Sequence, residues 1–210
     1  MKIYDISQEV FDCTVFPGDP QPERLDMQKI SRGDICNLTG LHMCAHNGTH
    51  VDAPYHFIDG AKSIDQVDLA RFVGYAYITH FDGDITAEIA THIMEKAKAA
   101  DGAYRNETDR PSNRILVGGK AVVTEEAAKV FAEEHILLFG NESQTVGPED
   151  TPKAVHMIML SNEVVLLEGI RLKGVPEGVY MLNAAPINLG GADGAPCRAI
   201  LMSVSKKTRS

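Results

Sequence analysis

A strand, a helix and a second strand follow one another directly in the middle of this chain: NRILVGG (113–119), TEEAAKVFAEEH (124–135) and ILLFG (136–140). Two strands joined through a helix cannot form a hairpin. They are expected to lie parallel with the helix packed across one face. The fold class is therefore α/β, a mixed β-sheet with flanking helices, and the remaining segments have to be placed around that unit.

Short β-rich runs open the chain: KIYDIS, ERLDMQKI and CNLTGLHMCAH. GYAYITHF (74–81) reads as a strand, and ITAEIATHIMEKAKAA as a helix with Thr86 as its N-cap. Thr151 followed by Pro152 marks a further helix start, running to about Ser161. VVLLEGI, GVYMLNAAPINL and PCRAILMSV read as three closing strands, and SKKTRS as a frayed polar tail. No repeat or low-complexity linker divides the chain, so residues 1–210 are expected to form one domain.

Charge and composition narrow the partners. A net charge of -9 without a basic run argues against nucleic acid. No apolar stretch approaches the ~20 residues needed to cross a bilayer, and the start lacks the apolar core of a secretory signal, so a cytoplasmic protein with no membrane partner is expected. Cys13, Cys36, Cys44 and Cys197 form no CxxC pair and are expected to be reduced, mostly buried thiols.

HNGTHVDAPYHF (46–57) concentrates chemistry-bearing side chains around a glycine and a proline. Asn47-Gly48 is a strong type I′ signal, so an ordinary hairpin is one reading. A helix is excluded, because Pro54 pushes Ala53 into extended geometry. Full extension would hold His46 and His50 ~13 Å apart, too far for one ion whose ligands lie ~2 Å from it. A bend at the glycine lets His46 meet His50, and an extended piece from 50 to 52 puts His50 and Asp52 on one face. Imidazole and carboxylate suit Zn²⁺, Mn²⁺ or Fe²⁺ in a site with positions left for water. Spacing alone leaves both the metal claw and a chance cluster open. Position 47 is Asn, so the HExxH protease signature is missing. His56 can be a further ligand, a proton carrier or a histidine beside a turn; its reference pKa of ~6.5 suits proton transfer, the role assigned to it. His156 in AVHMIML and Glu168 in VVLLEGI read by themselves as a core histidine and a solvated strand end.

HNGTHVDAPYHF resembles the HxGTHxDxPxHF signature of the cyclase family of metal-dependent hydrolases, which includes bacterial kynurenine formamidases and, as relatives, isatin hydrolases. YDIS and VFPGDP resemble the family's opening, and GADGAPCRAIL its closing motif. The resemblance spans nearly the whole chain and implies the family's swivelling β/β/α architecture.

By that resemblance His46, His50 and Asp52 are metal ligands, with Asp52 able to bridge two ions, and His56 is the proton-transferring histidine. His156 and Glu168, twelve positions apart, complete a two-metal site. Phe16 stands where formamidases usually carry a substrate-contacting tryptophan, and with Phe57 it would form an apolar wall. The loop NESQTVGP departs from the formamidase pattern at Gln144 and Gly147, which implies drift in substrate choice. The expected activity is hydrolysis of a small amide, foremost an aryl formamide such as N-formylkynurenine, using Zn (up to two ions) or Mn. The alternatives are hydrolysis of an isatin-like cyclic amide with one Mn ion, and a non-catalytic module in which the ion staples loops. The resemblance also implies a homodimer or larger homo-oligomer.

Overall fold

The computed structural model describes residues 1–104 and 108–204; the tail SKKTRS lies outside the described residues. A nine-stranded mixed sheet runs from edge to edge as β1 (Ile3–Asp5), β13 (Ile200–Ser203), β11 (Gly178–Asn183), β5 (Val73–His80), β7 (Arg114–Gly118), β9 (Leu138–Asn141), β10 (Val165–Glu168), β4 (His50–Asp52) and β12 (Gly194–Pro196). The four strands β5, β7, β9 and β10 are parallel, and the pairs on either side of them are antiparallel. Two small ribbons stand apart: β2 (Glu23–Gln28) with β3 (Leu38–His42), and β6 (Gly83–Ile85) with β8 (Ala121–Val123).

The parallel core follows from the strand–helix–strand order. The helices α1 (Ala87–Asp101), α2 (Glu125–Glu133) and α3 (Lys153–Ser161) share one apolar layer against the sheet. Thr86 and Thr124 cap α1 and α2, each accepting a backbone N–H of the first turn. Buried Ala90, Ile93, Met94 and Ala97 of α1 recur at helical spacing and turn one stripe inward. Pro152 takes the cap position of α3, one residue before the first helical turn, rather than its first helical position.

Strand alternation then decides where polar groups go. Along β10, Val165 and Leu167 join the apolar layer remote from the helices while Leu166 joins the helical one, so Glu168 returns to the helical side. Val51 of β4 faces away from the helices, so His50 and Asp52 face them. The register pairs Glu168 with His50 and Leu166 with Asp52. Three polar side chains thus meet beneath α3 as a consequence of period-two geometry.

Two sequence expectations change. At the Asn47-Gly48 turn only Gly48 has a positive φ, 69°, and β4 pairs with β10 and β12 instead of folding back on β3, so no type I′ hairpin forms. Asn47 is occupied otherwise: its Oδ1 accepts the N–H of Cys44 and its Nδ2 donates to Pro20 O. The thiols are free but not mostly buried. Cys13, Cys44 and Cys197 are half-buried, and Cys36 lies exposed on the loop between β2 and β3.

Candidate metal centre

Two groups of potential ligand atoms, each within 4.8 Å, share Asp52: His46–Asp52–His56 and His50–Asp52–Glu168. His50 Nε2 lies 3.5 Å from Asp52 Oδ1 and 3.4 Å from Glu168 Oε2. His156 reaches down from α3, its Nε2 3.2 Å from Glu168 Oε1 and 3.6 Å from Asp52 Oδ2. The other nitrogen of each inner ring is tied to backbone: His50 Nδ1 donates to Gly48 O at 3.0 Å and His156 Nδ1 to Pro152 O at 2.8 Å. In both rings, when neutral, the lone pair therefore sits on Nε2, facing the carboxylates.

The bend at Gly48 brings His46 over this floor. Its Nδ1 donates to Asp52 Oδ1 at 2.9 Å and its Nε2 to Asp193 Oδ2 at 2.8 Å. Ala53 is extended (φ -91°, ψ 160°), and Pro54 starts a 3₁₀ turn, Pro54–His56, that returns His56 to the cluster. The rings of His46 and His56 stack 4.0 Å apart, and His56 Nδ1 also donates to Asp193 Oδ2, at 3.0 Å.

Burial opposes charge on His46, but hydrogen bonds to Asp193 and Asp52 outweigh it and raise its pKa to about 11. Asp193 is held well below the carboxylate range by His46 first and His56 second. Burial works against ionisation of Asp52 too, yet the hydrogen bond from His46 and the nearby imidazoles keep it ionised. Burial likewise opposes charge on His156, and Glu168 more than offsets it, raising the pKa.

These side chains fit a divalent cation. Asp52 is fully buried, and its Oδ2 has no hydrogen-bond partner among the described residues. An orphaned buried acceptor costs ~1–3 kcal/mol, and more when charged. Glu168 is buried beside it. A divalent cation held by Asp52 and Glu168 would satisfy both carboxylates, and nitrogen and oxygen donors without thiolate suit a catalytic rather than a structural ion.

An imidazole–carboxylate cluster at the side of a mixed sheet, with helices over one face, is the construction of a metal-dependent hydrolase. The Cyclase family model ("Putative cyclase") matches residues 4–148, and the chain belongs to that family. The kynurenine formamidase of Salinibacter ruber is 29% identical over 206 residues, covering 96% of this chain and 97% of the relative. That of Polaromonas naphthalenivorans is 30% identical over 210 residues, covering 98% and 92%. A solved structure described as "predicted metal-dependent hydrolase from Bacillus stearothermophilus" superposes with a TM-score of 0.76 at 27% identity, covering 95% and 97%. Isatin hydrolase A from Labrenzia aggregata shares the fold, with a TM-score of 0.77 at 21% identity over 97% and 94% of the two chains.

All six polar residues singled out in the sequence come together, and His156 and Glu168 are buried rather than solvated. Phe57 also reaches the cluster, its ring 4.6 Å from His56 and 4.5 Å from His156. Phe16 is half-buried in the turn Phe16–Asp19 and takes part in none of the ring contacts of the cluster among the described residues. Cys44 Sγ lies 3.8 Å from Asp19 Oδ2, and Cys44 is in neither ligand group among the described residues. The sequence reading missed Asp193. It lies within GADGAPCRAIL, whose one carboxylate, between Ala192 and Gly194, was the available signal.

Proposed function

We propose that this protein hydrolyses a small amide, foremost an aryl formamide of the N-formylkynurenine type, at a divalent-metal centre held by His46, His50, Asp52, His156 and Glu168. The observation that carries this reading is Asp52, common to two ligand groups and buried with an unpartnered oxygen. The full-length likeness to kynurenine formamidases supports the substrate class.

A divalent ion in such a site polarises a carbonyl and makes water acidic near neutral pH. The chain's own side chains do the rest. Asp52 and Glu168 hold negative charge in a dry floor, and His50 and His156 present Nε2 to it. His56, with Nδ1 tied to Asp193, keeps Nε2 for the proton that must reach the leaving nitrogen as the C–N bond breaks and water's oxygen bonds the formyl carbon. Phe57 supplies an apolar wall, and Phe16 on the neighbouring turn a second. The donor set suits Zn²⁺, in one or two positions, or Mn²⁺.

A homodimer or larger homo-oligomer is part of the same proposal, supported by the apolar side chains that the β2–β3 ribbon leaves exposed. Four free cysteines support a cytoplasmic setting. No helix among the described residues is long and apolar enough to cross a membrane.

The test is elemental analysis of protein purified without chelator, together with turnover of N-formylkynurenine and of isatin. Bound Zn or Mn with formate release is expected. Absence of metal would overturn the centre; metal with isatin opening but no formate release would overturn the substrate.

A further inference from the structure

Gln144 is buried, and both ends of its amide are engaged. Nε2 donates to Gly48 O at 3.0 Å, and Oε1 accepts from Gln8 Nε2 at 2.7 Å. Gly48 O can only accept, so the amide group facing it is the NH₂. The same carbonyl accepts the Nδ1–H of His50. One backbone oxygen thus carries both contacts, using its two lone pairs, and the proton on Nδ1 leaves the Nε2 lone pair of His50 turned towards Asp52 and Glu168.

We propose that Gln144 is a positioning residue for the metal: by fixing the Gly48 carbonyl it holds His50 with Nδ1 protonated and Nε2 presented to the ion. This rests on the metal-centre reading above.

The amide has little room to turn. Gln8 Oε1 is itself held by Arg171 at 2.6 Å and by the N–H of Thr14 at 2.9 Å. A Cβ at Gly169 would lie 2.3 Å from Gln144 Oε1 and 2.5 Å from Gly48 O, so the cluster closes against a residue that has no side chain. Gly169 directly follows Glu168, and the loop that carries Gln144 also gives the Val146 N–H to Glu168 Oε1 at 2.9 Å. One loop therefore grips two candidate ligands on two strands. The sequence reading took Gln144 as a mark of altered substrate choice, but its side chain faces the ligand loop. A carboxylate at this position would lack the donor and set its lone pairs against those of Gly48 O.

The experiment measures Zn²⁺ and Co²⁺ affinity of the full chain by competition with a chromogenic chelator. Outer contacts of this kind change metal affinity about 10- to 100-fold. Gln144→Met is expected to weaken binding by that factor, Gln144→Glu at about pH 8 at least as much, and Gln8→Met less but in the same direction. Because the effect runs through His50, Gln144→Met should cost nothing further in a His50→Ala background and its full factor in a His156→Ala background. Equal affinity of wild type and Gln144→Met overturns the inference, as does an undiminished loss in His50→Ala. If Gln144→Met fails to fold by circular dichroism, Gln8→Met carries the same cycle. A wild-type chain with no affinity for either ion overturns the metal centre itself, a distinct result.

Discussion

Asp193 holds His56: its Oδ2 accepts the Nδ1–H at 3.0 Å while accepting His46 Nε2 at 2.8 Å. One carboxylate oxygen therefore sets the tautomer of the proposed proton carrier and stacks it on a neighbouring ring. Asp193→Asn keeps the shape and removes the charge. We expect kcat to fall about 10- to 100-fold, with KM for N-formylkynurenine changed far less. Steady-state kinetics on protein of verified metal content checks this; unchanged kcat would leave Asp193 without a part in the proton step.

The metal-free protein should lose stability in alkali. An imidazole in the unfolded chain titrates near ~6.5, whereas His46 in the folded chain titrates at about 11. The folded state binds this proton more tightly, so its contribution is complete below ~6.5 and is lost as pH rises through about 11. Asp193 has the opposite sign: its lowered pKa gives stability above the usual carboxylate range that is lost in acid. Thermal melts of chelator-treated protein should show Tm falling between about pH 6 and about pH 10, with a flatter profile for His46→Gln. A level wild-type profile would contradict the ion pairs drawn for His46.

The strand–helix–strand unit, the Thr86 cap and the extended Ala53 were legible in the sequence, because each depends on residues close together along the chain. The buried state of Glu168 was not. It depends on the register that pairs β10 with β4, a contact across more than a hundred residues that periodicity does not contain. Asn47-Gly48 misled for a similar reason. A distant acceptor at Pro20 and a local donor at Cys44 claim the Asn47 side chain, and its backbone stays out of the left-handed region a type I′ turn needs. Asp193 stayed hidden because its two imidazole partners lie 137 and 147 residues away in sequence.

Gly194 leaves space for His46. A Cβ built on it would lie 2.7 Å from His46 Cε1 and 2.7 Å from Val51 O, inside van der Waals contact with a candidate ligand and with the strand that carries two others. Gly194→Ala must push one of them aside. The expected cost is ~1–3 kcal/mol of stability and roughly tenfold or more in metal affinity. Melting curves and chelator competition measure the two separately. Wild-type affinity in this variant would show that His46 does not contribute to the centre.

The ribbon of β2 and β3 leaves Leu25, Met27 and Leu41 exposed, at 46%, 63% and 61%, and Ile35 at its turn at 94%. An isolated two-stranded ribbon is marginal in water, and Leu25 and Met27 lie uncovered side by side on the face of Gly40, with Leu41 on the opposite face. Its charges cancel, Glu23, Asp26 and Asp34 against Arg24, Lys29 and Arg32, in a chain of net charge -9, so a second copy can cover it with little repulsion. Light scattering should give a mass of at least twice 22.9 kDa. Leu25→Asp with Met27→Asp removes from each protomer two apolar contacts that share one face of the ribbon, each worth ~1.5–3 kcal/mol when buried, so a two-fold contact should weaken by at least about 10⁴-fold. The double variant should then run at 22.9 kDa with circular dichroism unchanged outside the ribbon. A wild type already at that mass, or a double variant still associated, would show that the ribbon does not join copies of this chain.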